Sequence, residues 1–67
     1  MGKDLKNARI KSGLTQAELA GAVGISERAV QNYEYGKRVP DAYVVQKLAI
    51  ALNTTVEELF PLSEERS

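Results

Sequence analysis

The 67-residue chain contains no cysteine, no histidine and no tryptophan, and it has only two prolines. Without cysteine it cannot form disulfides, and without cysteine or histidine it lacks the usual ligands of a structural zinc site. These two residue types also supply many of the nucleophiles and general bases of enzymes, so we expect no enzyme and no metal or cofactor site. Helix packing or a second subunit must therefore stabilise this short chain.

Long apolar runs are missing as well. No stretch approaches the roughly 20 apolar residues that cross a bilayer, and residues 1–15 lack the pattern of a signal peptide. We therefore expect one cytoplasmic domain over 1–67, with a core over about 4–60 and a short, loose tail over 61–67. We expect neither a membrane contact nor a small-molecule ligand.

Charge is balanced in total but unevenly distributed. Nine lysines and arginines offset nine aspartates and glutamates. Residues 1–38 carry seven basic and four acidic side chains, whereas residues 39–67 carry two basic and five acidic ones. Because proteins that bind duplex DNA neutralise phosphates with basic side chains, a polyanion would approach the first part of the chain.

Helix signals recur along the chain, and no segment shows sustained alternation of apolar and polar residues, so the sequence predicts an all-α fold. Thr15 and Glu18 have the spacing of a capping box, which predicts a helix over 16–23 that Gly24 ends. Ser26 can cap a second helix, which follows almost at once and runs to about Tyr35.

Three further helices are predicted around this pair. The pattern over 4–11 is helical and ends before a Ser-Gly pair. After a loop that contains a proline, Asp41 can cap a helix that continues through Leu52. Thr55 and Glu58 have the spacing of a second capping box, which predicts a last short helix that includes Phe60 and stops at the following proline.

Two helices joined by a short turn that contains glycine are typical of a DNA-binding helix-turn-helix. Ala20 is small at the position where the helices must approach each other, and Gly24 permits the turn. The other positions that must contact the partner helix or the core hold suitable residues, namely Leu19, Val23, Ile25, Val30 and Tyr33. A plain helical hairpin, the alternative interpretation, would share about half of these positions.

The chain carries GLTQAELA at 13–20, GIS at 24–26, YEYGKRVP at 33–40 and LAIAL at 48–52. Together these segments resemble the Cro/phage-repressor (XRE) family of helix-turn-helix domains. The resemblance covers roughly residues 4–60. It implies a five-helix, lambda-repressor-like fold in which the third helix enters the major groove of DNA.

Helical spacing predicts which side chains of the third helix face DNA. If Val30 and Tyr33 face the core, at about 100° per residue the opposite side presents Arg28 and Asn32, flanked by Glu27 and Gln31. Arg28 could pair with guanine, Asn32 with adenine, and Glu27 could accept from a cytosine amine. The alternative is a polar face that is merely solvated.

Contacts to phosphate position a protein on DNA without reading its sequence. We expect one from Gln16, because free N–H groups at a helix start can receive a phosphate oxygen, and the resemblance implies a glutamine–phosphate contact at this place. The other candidates are Ser26, Tyr35, Lys37 and Arg38, with Lys11 as a further one. For Lys37 and Arg38 the alternative is a solvated loop.

The resemblance assigns Arg9 and Glu34 to architecture. It implies a partly buried ion pair between the first helix and the end of the third. We expect bidentate geometry, since the planar fork of arginine matches a carboxylate. The competing hypothesis is that Arg9 contacts phosphate.

Symmetric DNA sites are bound by dimers, so we expect a homodimer. Its interface would use the fourth and fifth helices, where Tyr43, Phe60 and Leu62 supply apolar surface. Val56 is a further candidate for this interface. The alternative is that these side chains complete the core of one subunit, which is the expectation for Val56. The sequence thus predicts a sequence-specific transcriptional regulator, a repressor on a palindromic operator, of the kind found in phage, plasmid and restriction-modification systems. An antitoxin or another protein-interaction module is the alternative.

Overall fold

The computed structural model describes residues 2–60, and every regular element in that range is helical. The helices are α1 (Gly2–Lys11), α2 (Gln16–Val23), α3 (Glu27–Glu34), α4 (Ala42–Ala51) and α5 (Val56–Leu59). The predicted all-α, five-helix fold is confirmed, whereas the predicted tail over 61–67 lies outside the described residues. Within residues 2–60 no helix has the length and apolar character that crossing a bilayer requires.

The ends of α2 and the start of α3 are held by local hydrogen bonds. Glu18 N donates to Thr15 Oγ1 at 3.0 Å, and Thr15 N donates to the Glu18 carboxylate at 2.9 Å, which completes the predicted capping box. Gly24 ends α2 with φ 84°, a left-handed conformation that favours glycine. Ser26 Oγ accepts from Ala29 N at 3.0 Å and caps α3. The predicted short turn between the two helices follows from these contacts.

Some boundaries differ from the predicted ones. Helix α1 begins two residues earlier than predicted, at Gly2. Gly2 and Lys3 can extend the helix because the N–H groups of its first turn need no partner within the helix. Thr55 Oγ1 caps α5 by accepting from Glu58 N at 3.2 Å. The Glu58 carboxylate accepts from Thr54 Oγ1 at 2.8 Å, so only half of the capping box predicted there forms. Phe60 follows α5 as its cap residue and is not helical.

Each helix contributes one apolar side chain that is fully buried, and together these form the centre of the core: Leu5, Leu19, Val30, Leu48 and Leu59. Helix α2 packs against α3 and α4, while α1 packs against α3 and α5. Helix α3 is therefore held from two sides, by α1 and α2. Its remaining face is free for another partner.

Val56 was expected in the core, and this prediction is wrong. Its side chain is 38 % exposed, and Leu59, which is fully buried, fills the core position of α5. A helix of only four residues has too few positions for a reliable apolar stripe, so its spacing alone does not identify the buried residue.

Candidate nucleic-acid interface

A buried ion pair fixes the end of α3. Arg9 Nε donates to Glu34 Oε2 at 2.6 Å, and Arg9 Nη2 donates to Glu34 Oε1 at 3.2 Å, in bidentate geometry. The Glu34 side chain is fully buried, and that of Arg9 is 11 % exposed. Arg9 Nη1 also donates to the Leu14 carbonyl at 2.8 Å. One guanidinium thus joins α1, the turn before α2 and the last residue of α3.

Two glutamines extend this pair towards the surface. Gln16 Nε2 donates to Glu34 Oε1 at 3.0 Å, and Gln31 Nε2 donates to Gln16 Oε1 at 3.4 Å. The sequence pattern predicts neither bond. The partners stand 18 and 15 positions apart in the chain, and no helical repeat relates residues so far apart. Only the packing of α2 on α3 brings them together.

The outward face of α3 is polar. Glu27 and Arg28 are exposed, whereas Gln31 and Asn32 are half-buried. Val30, on the opposite side of the helix, is fully buried. The structure therefore brings the four residues proposed for base contacts onto one accessible surface, and the contacts themselves stay a prediction.

The loop after α3 folds back onto that helix. Lys37 N and Arg38 N both donate to the Asn32 carbonyl, at 2.9 and 3.3 Å. Gly36 has φ 78°, which allows the chain to reverse here. Lys37 and Arg38 are exposed, so two cations stand beside the outward face of α3.

An open groove runs between α3 and this loop. Arg28 and Asn32 line it from the helix, and Arg38 and Val39 line it from the loop. Val39 is absent from the contacts that the sequence predicts, yet it is 66 % exposed. An exposed valine before a proline carries no helical or strand pattern, so no signal in the sequence singles it out.

The remaining phosphate candidates surround the same face. Tyr35 is 65 % exposed at the end of α3. Ser26 uses its oxygen to cap α3, which leaves its hydroxyl proton free to donate. Gln16 is half-buried at the first position of α2, and Lys11 is exposed at the last position of α1.

The residues expected at a dimer interface differ in their surroundings. Tyr43 is 67 % exposed on α4, and the Lys47 ammonium lies 4.9 Å from the centroid of its ring. Phe60 is half-buried and packs against the core. Leu62 lies outside the described residues. Ile50, which the sequence analysis does not single out, is 79 % exposed on α4.

Comparisons with known proteins agree with this architecture. The helix-turn-helix family model matches residues 5–59. YazB of Bacillus subtilis, an uncharacterized HTH-type transcriptional regulator, is 37 % identical over 60 residues, which are 90 % of this chain and 87 % of YazB. The HTH-type transcriptional regulator ImmR of the same organism is 38 % identical over 64 residues, or 96 % of this chain. The chain spans 50 % of the length of ImmR.

A solved structure is similar over nearly its whole length. The restriction-modification controller protein C.AhdI from Aeromonas hydrophila superposes with a TM-score of 0.83 at 36 % identity, covering 88 % of this chain and 89 % of C.AhdI. The family match takes in α2, α3 and the core residues from Leu5 to Leu59. The chain therefore belongs to the Cro/phage-repressor (XRE) family of helix-turn-helix DNA-binding domains.

Proposed function

We propose that this protein regulates transcription by binding DNA sequence-specifically, as a homodimeric repressor on a palindromic operator. DNA-binding regulation of transcription is the function that the family and the named relatives support. The observation that carries the proposal is the exposed polar face of α3, which the buried pair of Arg9 and Glu34 holds against the rest of the domain.

Base contacts are assigned to this face. The guanidinium of Arg28 can donate to both O6 and N7 of guanine, and the amide of Asn32 can pair with N6 and N7 of adenine. Each such bidentate contact contributes about 1–3 kcal/mol of discrimination. Glu27 can accept from a cytosine amine, although its carboxylate also stabilises the start of α3 through the helix dipole. Gln31 completes the set.

Phosphate contacts are assigned to the rim of the same face. Lys37 and Arg38 lie next to Asn32, where they can neutralise phosphates that border the major groove. Ser26 and Tyr35 stand at the two ends of α3. Gln16, at the start of α2, can contact a phosphate through its backbone N–H while its side chain bonds Glu34.

The dimer is proposed on separate grounds. A symmetric operator requires two recognition helices about 34 Å apart, which one subunit cannot supply. Tyr43 and Ile50 are seven positions apart in the sequence, so they share one face of α4, and both are strongly exposed. We assign self-association to these two side chains and to Phe60. Leu62, which lies outside the described residues, remains a candidate from the sequence alone. This surface belongs to residues 39–67, where acidic side chains outnumber basic ones.

The similarity of this chain to the controller C.AhdI in fold and sequence favours a DNA-binding regulator over the antitoxin alternative. Because a regulator of transcription must reach DNA, we propose that this protein is located in the cytoplasm. Neither proposal requires a cofactor or a small-molecule ligand.

Selection of bound fragments from random DNA tests the function directly. We expect a short palindrome to emerge, bound with an affinity that falls as salt rises. A selection that yields no common sequence, together with an affinity for DNA that does not vary with salt, would contradict the proposal. Binding to a protein partner in place of DNA would support the antitoxin alternative.

A further inference from the structure

The hydrogen bonds that join Arg9, Glu34, Gln16 and Gln31 run in one direction. A guanidinium has only donors, and an ionised carboxylate has only acceptors. Gln16 must therefore give Glu34 an amide N–H, which turns its own oxygen towards Gln31. Gln31 must donate to that oxygen in turn. The donor-to-acceptor direction of these hydrogen bonds is thus set at the buried Arg9 and is the same in each bond out to Gln31.

The buried hydrogen bonds at Glu34 allow no other direction. Glu34 Oε1 accepts from Arg9 Nη2 at 3.2 Å and from Gln16 Nε2 at 3.0 Å. Rotating the Gln16 amide by half a turn would place two acceptor oxygens 3.0 Å apart with no proton between them. The fully buried side chain of Glu34 has no access to water that could relieve this repulsion. The Gln16 amide therefore has one orientation.

Gln31 is the last residue in this series of hydrogen bonds, and it lies at the edge of the face assigned to DNA. It follows Val30 of the core, so it lies about 100° further round α3, between the buried side and Arg28. Its side chain is half-buried. None of the hydrogen bonds among residues 2–60 uses Gln31 Oε1. With one N–H of Nε2 held by Gln16, the orientation of the Gln31 amide is set, and Oε1 stays available to a partner.

We infer that Gln31 presents a hydrogen-bond acceptor to DNA and selects a base that presents an amino group in the major groove, cytosine or adenine, over guanine or thymine. In the major groove, cytosine N4 and adenine N6 are donors, whereas guanine O6 and thymine O4 are acceptors. An untethered glutamine could offer either end of its amide. Gln16 is the positioning residue that removes this freedom. The inference rests on the proposed function and specifies one contact of that site.

Binding of the full-length protein to operator variants tests the inference. The base pair that Gln31 faces is the one whose preference disappears in Gln31→Met, which keeps the length of the side chain and removes the amide. At that position the unaltered protein should bind cytosine or adenine about fivefold to tenfold more tightly than guanine or thymine. Gln31→Lys replaces the acceptor with a donor and should invert the preference towards guanine.

Gln16→Ala tests the positioning step. It frees the Gln31 amide, so the preference at that base pair should fall to within about twofold, while the preference at the position that Arg28 contacts is retained. Loss of a phosphate contact alone would instead weaken all sequences equally. Asn7→Ala removes an exposed amide of α1, outside the surfaces assigned to DNA and to self-association, and is the matched control, which should leave every preference unchanged. Thermal unfolding of each variant shows whether the fold is retained.

The outcomes separate the inference from the proposed function. If a palindrome is selected but no base pair responds to Gln31→Met, the inference is wrong and the proposed function stands. A preference for guanine or thymine at the responsive position, or an unchanged preference in Gln16→Ala, also overturns it. If no sequence is selected and binding does not depend on salt, the proposed function itself fails.

Discussion

Arg9 and Glu34 bring two charges into the interior, which is costly unless every hydrogen-bonding group finds a partner. Glu34 accepts from two nitrogens of Arg9 and from Gln16, and the third nitrogen of Arg9 donates to the Leu14 carbonyl. Among the described residues, no buried side-chain nitrogen or oxygen lacks a partner. Removing one member should therefore cost more than the pair contributes, because the other stays buried without a counter-charge.

At the residue scale, we expect Arg9→Met to lower the free energy of unfolding by about 3–5 kcal/mol. A chain of this length has a total stability of only about 3–10 kcal/mol, so much of the protein should unfold. Urea denaturation followed by circular dichroism measures the loss. Lys6→Met, an exposed change on the same helix, is the control and should stay within about 0.5 kcal/mol. The double variant Arg9→Met/Glu34→Leu should recover part of the loss, and a fully stable single variant would contradict the prediction.

A second residue-scale prediction concerns base reading. Arg28→Ala should lose about 1–3 kcal/mol of discrimination at one base pair and retain its affinity for unrelated DNA. Lys37→Ala should instead weaken binding to all sequences and reduce the slope of log affinity against log salt by about one. Titration of an operator and a scrambled duplex at several salt concentrations measures both effects. If Arg28→Ala weakens all sequences equally, its assignment to a base contact is wrong.

Among the helices, α2 has one glycine inside it and another that ends it, and the two have opposite expected effects. Gly24 has φ 84°, so Gly24→Ala should strain the backbone and cost about 1 kcal/mol. Gly21 lies inside the helix, and a Cβ there would meet no atom within 4 Å. Gly21→Ala should therefore stabilise the protein by about 0.5–1 kcal/mol. Chemical denaturation compares the two variants, and changes of the same sign would contradict this account of the turn.

The elements also differ in how well local rules describe them. Helix α2 begins and ends where Thr15, Glu18 and Gly24 predict, because a capping box and a left-handed glycine act within a few residues. Helix α5 is less predictable. The Glu58 carboxylate accepts from the Thr54 hydroxyl and not from the Thr55 backbone N–H, and Leu59, not Val56, is the residue that is buried in the core.

For the whole molecule, the proposed homodimer can be tested by weakening self-association. Ile50→Glu places a charge on the apolar face of α4 and should weaken the dimer at least about tenfold, which corresponds to about 1.4 kcal/mol. Because Ile50 is 79 % exposed in the subunit, the fold itself should be unaffected. Sedimentation equilibrium at several concentrations measures the association, with Asn7→Glu on α1 as the control for added charge. Unaltered protein that stays monomeric at micromolar concentration would contradict the homodimer.

The five helices, the short turn between α2 and α3, and the polar residues on the outward face of α3 could be predicted from the order of the amino acids. These depend on interactions between residues at most a few positions apart, such as caps, left-handed glycines and helical spacing. The hydrogen bonds of Gln16 to Glu34 and Gln31, the exposure of Val56 and the outward position of Ile50 depend instead on how the helices pack. The physical reason is that hydrogen-bond polarity and burial depend on atoms of distant segments, which meet only when the helices pack.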